Sequence, residues 1–161
     1  MKQVRMAQLS DASGIAHVHW ASWMETYAGL IDPGYLAQRS EEKSRQAFES
    51  TGCRDMAVAL LDNEIVGFAG FGQAGSEPET GEVRGLYVLR RAQGLGLGRE
   101  LMQLALDALR EKGCRQAVLW VLATNEKAMG FYEHYGFAFD GTQKEELRGS
   151  PVIEKRYRIR L

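Results

Sequence analysis

Leu89-Arg90-Arg91-Ala92-Gln93-Gly94-Leu95-Gly96-Leu97-Gly98-Arg99 joins an apolar, strand-like run to the most regular helical pattern in the chain. Three glycines alternate in it. Glycine lets the main chain approach a ligand with no Cβ in between. The free N–H groups that open the following helix, together with its dipole, attract negative charge. The stretch therefore predicts a main-chain cradle for a phosphate or another anion. Two familiar phosphate loops do not fit it. A Walker A loop requires Gly-Lys-Ser/Thr, and Gly98 is followed by Arg99-Glu100. A dinucleotide fingerprint requires Gly-x-Gly-x-x-Gly early in a βαβ unit. Counted from Gly94 the sixth residue is Arg99, counted from Gly96 it is Leu101, and no such unit precedes the loop.

Downstream of the loop, Arg99 to Lys112 is the strongest helix. Leu101, Leu104, Ala105, Ala108 and Leu109 form one apolar stripe, and Gly113 follows as a C′ residue. Upstream, Glu82 to Leu89 is a core strand. Met56 to Leu61 and Ile65 to Phe71 flank the turn Asp62-Asn63-Glu64 as a hairpin, and Gly72 to Gly81 is the loosest stretch. Near the N-terminus Val4 and Met6 alternate about Arg5 in a short strand. Ser10-Asp11 supplies N-cap chemistry for a helix with Ile15, His19, Trp23 and Tyr27 at helical spacing, ended by Gly29 and Pro33. Tyr35 to about Phe48 reads as one further polar helix, broken by Gly52. Later, Ala117 to Leu122 is a strand buried on both faces, and Asn125 to Tyr135 is a short helix capped by Thr124 or Asn125. Phe137 and Phe139 open another strand. Ile153, Tyr157, Ile159 and Leu161 alternate with Glu154, Arg156, Arg158 and Arg160 in a one-sided last strand whose arginines line a solvated edge. The order β, α, α, β, β, β, α, β, α, β, β predicts an α/β fold (α+β in some schemes) with a mixed sheet.

The 161 residues predict a single domain, 1–161. Lys and Arg number 20 against 21 Asp and Glu, so the chain lacks the basic excess of a general nucleic-acid or membrane-surface binder. Cys53 and Cys114 are too few for a disulfide framework and match no zinc spacing. His17 and His19 have no metal-ligating neighbours, and no metal is expected. The start Met1-Lys2-Gln3-Val4-Arg5-Met6 lacks a signal-peptide core, and no apolar run approaches the roughly 18–20 residues that span a bilayer. A reduced, cytoplasmic protein is the expectation.

Gln93-Gly94-Leu95-Gly96-Leu97-Gly98 resembles the Q/R-x-x-G-x-G/A signature of the GCN5-related N-acetyltransferase superfamily. Glu82-Val83-Arg84-Gly85-Leu86-Tyr87-Val88 resembles that family's fourth strand. The segment from Asn125 to Phe137 is similar to its N-x-x-A-x-x-F-Y-x-x-x-G-F element, and the two motifs stand in the family's order. The resemblance implies a mixed, mostly antiparallel sheet of about six to seven strands, about four flanking helices, and splayed fourth and fifth strands.

It further implies acetyl-CoA as co-substrate. Main-chain N–H groups of Gln93, Gly94, Leu95, Gly96, Leu97, Gly98 and Arg99 would hold the pyrophosphate, with charge from Arg91 and Arg99. The backbone of Leu86, Tyr87 and Val88 would follow the thioester arm, a main-chain N–H near Val88 serving as oxyanion donor. Asn125 would be either a helix cap or a cofactor contact. An amine acceptor must lose a proton to attack, and the departing thiolate must gain one. Tyr132 is the candidate acid and Glu82, directly or through water, the candidate base. Trp20, Trp23 and Tyr27 on the first helix would wall the acceptor site, with Glu25 adding negative charge. The implied function is acetyl transfer to a primary amine of a small molecule, in a homodimer without nucleic-acid or membrane partners. The alternatives are a catalytically inactive acyl-CoA-binding module, a protein or peptide N-acetyltransferase, and transfer of a longer acyl chain or to an O-acceptor.

Overall fold

In the computed structural model, which describes residues 1–161, the chain runs β1 (Lys2–Met6), α1 (Ala12–Tyr27), α2 (Pro33–Ala37), α3 (Glu41–Thr51), β2 (Met56–Leu61), β3 (Glu64–Gln73), β4 (Thr80–Val88), α4 (Leu97–Glu111), β5 (Gln116–Leu122), α5 (Glu126–Tyr135), β6 (Ala138–Arg148) and β7 (Ser150–Arg160). One seven-stranded sheet holds them in the order β1-β2-β3-β4-β5-β7-β6. Asp62 and Asn63 both have positive φ, as a two-residue turn of right-handed twist requires, so β2 and β3 close as the predicted hairpin.

Every pairing is antiparallel except β4 with β5. A parallel pair needs a crossover, and α4 is that crossover. The pair is short: Thr80, Gly81 and Glu82 face Gln116, Ala117 and Val118, and no pairing continues beyond them. Past Glu82, β4 keeps only β3, and past Val118, β5 keeps only β7. The sheet thus opens as a wedge at the C-terminal ends of the two strands. Gly70 pairs with Gly85 and Phe71 with Val83, which leaves Arg84 as an extra residue in β4; such a bulge bends its strand.

Side chains on the two faces of the sheet hold different helices. Phe68 and its cross-strand neighbour Tyr87 stack edge-on with His19 of α1, at 5.9 and 5.8 Å. Gly67, on the other face, is overlain by Leu101 of α4. The predicted stripe of α4 is buried at Leu101, Ala105 and Leu109, and β5 is buried through Ala117, Leu119 and Val121. A small satellite cluster of Ile31, Leu36 and Leu122 sits under α2, against Trp23 and Tyr27.

Several sequence expectations change. The polar helix from Tyr35 to Phe48 is two helices, making five in all. Asp32 Oδ2 accepts from Tyr35 N at 3.0 Å to start α2, and Ser40 Oγ accepts from Lys43 N to start α3 after a break at Gln38–Ser40. The loose stretch shrinks to Ala74–Glu79, because β3 and β4 extend into it. Asp11 stands at the N-cap of α1 without capping it; its carboxylate takes two hydrogen bonds from Arg5 and one from Gln8 N. The last strand is interior, between β5 and β6. Two of its arginines are not solvated: Arg156 and Arg158 both bond Asp140, and Arg158 also bonds Glu77, while Arg160 is exposed as expected. No helix is long and apolar enough to cross a membrane.

Candidate active site

The wedge between β4 and β5 is a cavity of about 420 Å³. Its walls are Val83 to Val88 on β4 and Leu119 to Val121 on β5. Its mouth is the glycine loop, its outer flank is α5, and its inner end is α1.

Gly94 and Gly96 have φ of +80° and +83°, a region that penalises any side chain. Gly98 differs. It lies in the first turn of α4 with ordinary φ, and a Cβ there would stand 3.5 Å from Phe131 and 3.9 Å from Val88, both of which line the cleft. No intramolecular hydrogen bond engages the N–H groups of Gly94, Leu95, Gly96, Leu97, Gly98 or Arg99. These six donors lie just before and within the first turn of α4, whose dipole adds positive potential.

The loop is tied down on several sides. Gln93 Nε2 donates to Val88 O at 3.0 Å, and Lys127 Nζ of α5 donates to Gln93 Oε1 at 2.6 Å. Glu25 Oε1 of α1 accepts from Arg90 N at 3.1 Å, so Glu25 anchors the loop. Lys2 Nζ donates to Leu95 O at 2.7 Å. Of the predicted loop contacts, Gln93, Gly94, Gly96, Leu97, Gly98 and Arg99 line the cleft, and Leu95 and Arg91 do not. Arg91 is engaged with Glu64 at 2.5 Å. Leu86, Tyr87 and Val88 all line it. Asn125 lines it and also caps α5, its Oδ1 accepting from Ala128 N at 3.2 Å.

Tyr132 packs edge-on against Phe131 and Phe137 and faces the cleft. Its hydroxyl pKa is raised, first by burial and then by Tyr87, so the proton is firmly held. The neighbouring Tyr135 is structural, donating to Gln103 Oε1 at 3.1 Å. Glu82 is not brought to Tyr132 by the lining of the cleft. It sits at the closed end of the wedge, opposite Val118, and its side chain makes no hydrogen bond or ion pair. No carboxylate or imidazole lines the cleft.

At the inner end, Tyr27 lines the cleft as the sequence suggests, but Trp20 and Trp23 do not. Trp20 lies against His17, and Trp23 packs on Tyr27 at 4.6 Å with Arg39 stacked 4.0 Å over its ring. In their place α1 presents Ser22 and Thr26, four apart on one face. Ser22 Oγ is buried with no hydrogen-bond partner, as is Trp23 Nε1. Trp23 Nε1 and Tyr27 approach the Tyr87 hydroxyl closely enough to oppose the rise in its pKa that burial causes, yet Nε1 stays outside hydrogen-bond geometry. The signal for Ser22 and Thr26 was their four-residue spacing on one helix.

A sequence model described as the acetyltransferase (GNAT) family matches residues 16–137. The chain belongs to this family and is an enzyme of the N-acetyltransferase class. It is 33% identical over 138 residues to an uncharacterized N-acetyltransferase, YuaI, of Bacillus subtilis strain 168, covering 84% of this chain and 79% of that one. It is 28% identical over 145 residues to a probable N-acetyltransferase, Rv2775, of Mycobacterium tuberculosis, covering 86% and 81%. Its fold superimposes on the PaiA N-acetyltransferase of Thermoplasma acidophilum, solved with coenzyme A, at a TM-score of 0.79 and 22% identity, over 96% of this chain and 98% of that one. It also matches YncA of Salmonella typhimurium, solved with acetyl-CoA, at a TM-score of 0.76 and 20% identity, over 99% and 94%.

Proposed function

We propose that this N-acetyltransferase takes its acetyl group from acetyl-CoA and delivers it by direct attack to the primary amine of a small molecule. The observation that carries the reading is the set of five unpartnered N–H groups, of Gly94, Gly96, Leu97, Gly98 and Arg99, at the mouth of the wedge. A pyrophosphate fits those donors, with Arg99 beside them. An extended arm fits the unpaired edges of Val83–Val88 and Leu119–Val121. Two structural neighbours hold coenzyme A or acetyl-CoA, which supports the same assignment. Bound there, acetyl-CoA would supply an activated thioester.

The chain's residues do the rest. The loop amides fix one end of the co-substrate, and the β4 main chain from Leu86 to Val88 aligns the arm. Tyr132 Oη holds the proton that a leaving thiolate requires; burial keeps the phenol un-ionised, which suits an acid and not a base. The amine proton leaves to water, since the cleft offers no carboxylate or imidazole, and Glu82 at the closed end of the wedge is the acceptor beyond that water. Ser22, Thr26 and Tyr27 provide hydroxyls at the inner end, where an amine nitrogen can be oriented.

Calorimetric titration with acetyl-CoA, NAD and ATP tests the reading. Selective binding of acetyl-CoA, followed by amine-dependent thiol release, is the expected result. A folded protein that ignores acetyl-CoA, or binds ATP or NAD as well, refutes it.

A further inference from the structure

A second cavity, of about 590 Å³, lies on the α1 and α3 face of the sheet. It shares Arg84, Gly85 and Tyr87 with the cofactor cleft, so the bulged part of β4 is the common wall. Arg39, Lys43, Arg54 and Arg84 all line it, and none of the four is in an ion pair. The one acid on its wall, Asp55, is engaged by Lys112 at 2.6 Å. The acids of α3 are used elsewhere: Glu41 meets His17, and Glu42 and Glu49 meet Arg45. The first turn of α3 also faces this space through Ser40, Lys43 and Ser44, which adds the positive end of an eleven-residue helix.

Arg39 is held in place before any ligand arrives. Its guanidinium stacks on Trp23 and donates to His19 Nε2 at 3.2 Å. A nitrogen that accepts from Arg39 is unprotonated, so His19 Nδ1 carries the hydrogen and donates to Ser44 Oγ, 3.0 Å away. The Ser44 hydroxyl is then free to donate into the cavity. Unpaired cations, a hydroxyl and a helix start around one cavity form a receptor for an anionic group.

We infer that the acceptor is a primary amine that also bears a carboxylate or phosphate, its anionic end held by Arg39, Lys43, Arg54 and Arg84 in the second cavity while its amine reaches the cleft past Gly85 and Tyr87. This rests on the acetyltransferase function proposed above and names its substrate class. Trp20, Trp23 and Glu25, which a cationic polyamine site would use, line neither cavity.

The test measures thiol release from acetyl-CoA with matched pairs of amines: amino acids against their amides, and phosphoethanolamine against ethanolamine. We expect kcat/KM at least about tenfold higher for the anionic member of a pair. The carboxylate and phosphate pairs tell the two sources of charge apart. Lys43→Gln and Arg54→Gln, both at exposed positions, should raise KM for that anionic acceptor several-fold and leave KM for acetyl-CoA unchanged. Equal or better use of the uncharged member, turnover of neither member of any pair, or variants with unaltered acceptor KM overturns the inference. Calorimetry with acetyl-CoA on the same preparation separates the failures: no binding refutes the function itself, whereas binding without anionic preference refutes only the substrate class.

Discussion

Gly96 and Gly98 stand two residues apart in the same loop, and the structure assigns them different physical reasons, which a pair of substitutions can separate. Gly96 is the N-cap of α4 with φ of +83°, and nothing lies within 4 Å of a Cβ built on it. Alanine there meets no clash but must adopt a left-handed backbone, at about 1–2 kcal/mol. Gly98 is already helical, so alanine removes the glycine penalty and gains up to about 1 kcal/mol. Its Cβ would project toward Phe131 and Val88, into the space the co-substrate is to occupy. Urea unfolding without ligand should therefore place Gly96→Ala below the parent by about 1–2 kcal/mol and Gly98→Ala level with or above it. Calorimetry should show the opposite separation for Gly98→Val, a fold that survives with acetyl-CoA affinity down at least tenfold, about 1.4 kcal/mol. If Gly98→Val binds as tightly as the parent, the ligand does not pass Gly98. If Gly96→Ala is as stable as the parent, the backbone argument fails.

Three further outcomes are expected. Tyr132→Phe keeps the packing against Phe131 and Phe137 and should lower kcat by about 10²–10⁴-fold with little change in acetyl-CoA affinity; parental turnover would remove the acid role. Glu82→Gln should lower the rate most at low pH, where free amine is scarcest, and an unchanged pH–rate profile would leave the proton to water alone. Stability should fall in acid in two stages. The His19 imidazole is held down from 6.5 to about 4, first by burial and then by Arg39, so the unfolded chain binds its proton more readily. Stability from this source is complete above 6.5, declines as pH falls toward 4, and amounts to roughly 3 kcal/mol. Asp11, held below its ordinary 3.8 by Arg5, adds a second loss as pH falls through its lowered folded value. Unfolding free energies across pH 7 to 3 for the parent and His19→Gln check this, and identical slopes between 6.5 and 4 would refute it.

The parts legible from sequence were those encoded locally. The hairpin at Asp62-Asn63, the stripe of α4 and the loop motif each depend on residues within about one element of one another. What escaped depends on neighbours in space. Periodicity placed Trp20, Trp23 and Tyr27 on one helix but could not say which side met the cavity, and Ser22 and Thr26 took the place given to the tryptophans. Alternation along β7 described its faces without saying that β6 would cover its outer edge and bring Asp140 to Arg156 and Arg158. The break between α2 and α3 has no glycine or proline; its only trace was Ser40 ahead of Glu41-Glu42, an N-cap signature inside an apparently continuous polar helix. The cationic cavity gathers Arg39, Lys43, Arg54 and Arg84 from four separate segments, a grouping that no spacing rule reports.

The wedge itself argues for the shape of what fills it. Between Val83 and Val88, β4 has a strand partner on one side only, and β5 between Leu119 and Leu122 likewise. Unpaired strand edges inside a sheet leave main-chain donors and acceptors that must find partners. A compact anion would satisfy the loop amides of Gly94 to Arg99 and leave those edges to water. A bare nucleotide would do little more, since its base and sugar have no reason to run between apolar walls such as Val83, Leu86 and Leu119. An extended arm with amide groups and methylenes, attached to a pyrophosphate, matches the loop, the polar edges and the walls together. That match favours an acyl-CoA over ATP or free phosphate, and under the proposed function the three-residue length of the β4–β5 pairing is what opens room for the arm.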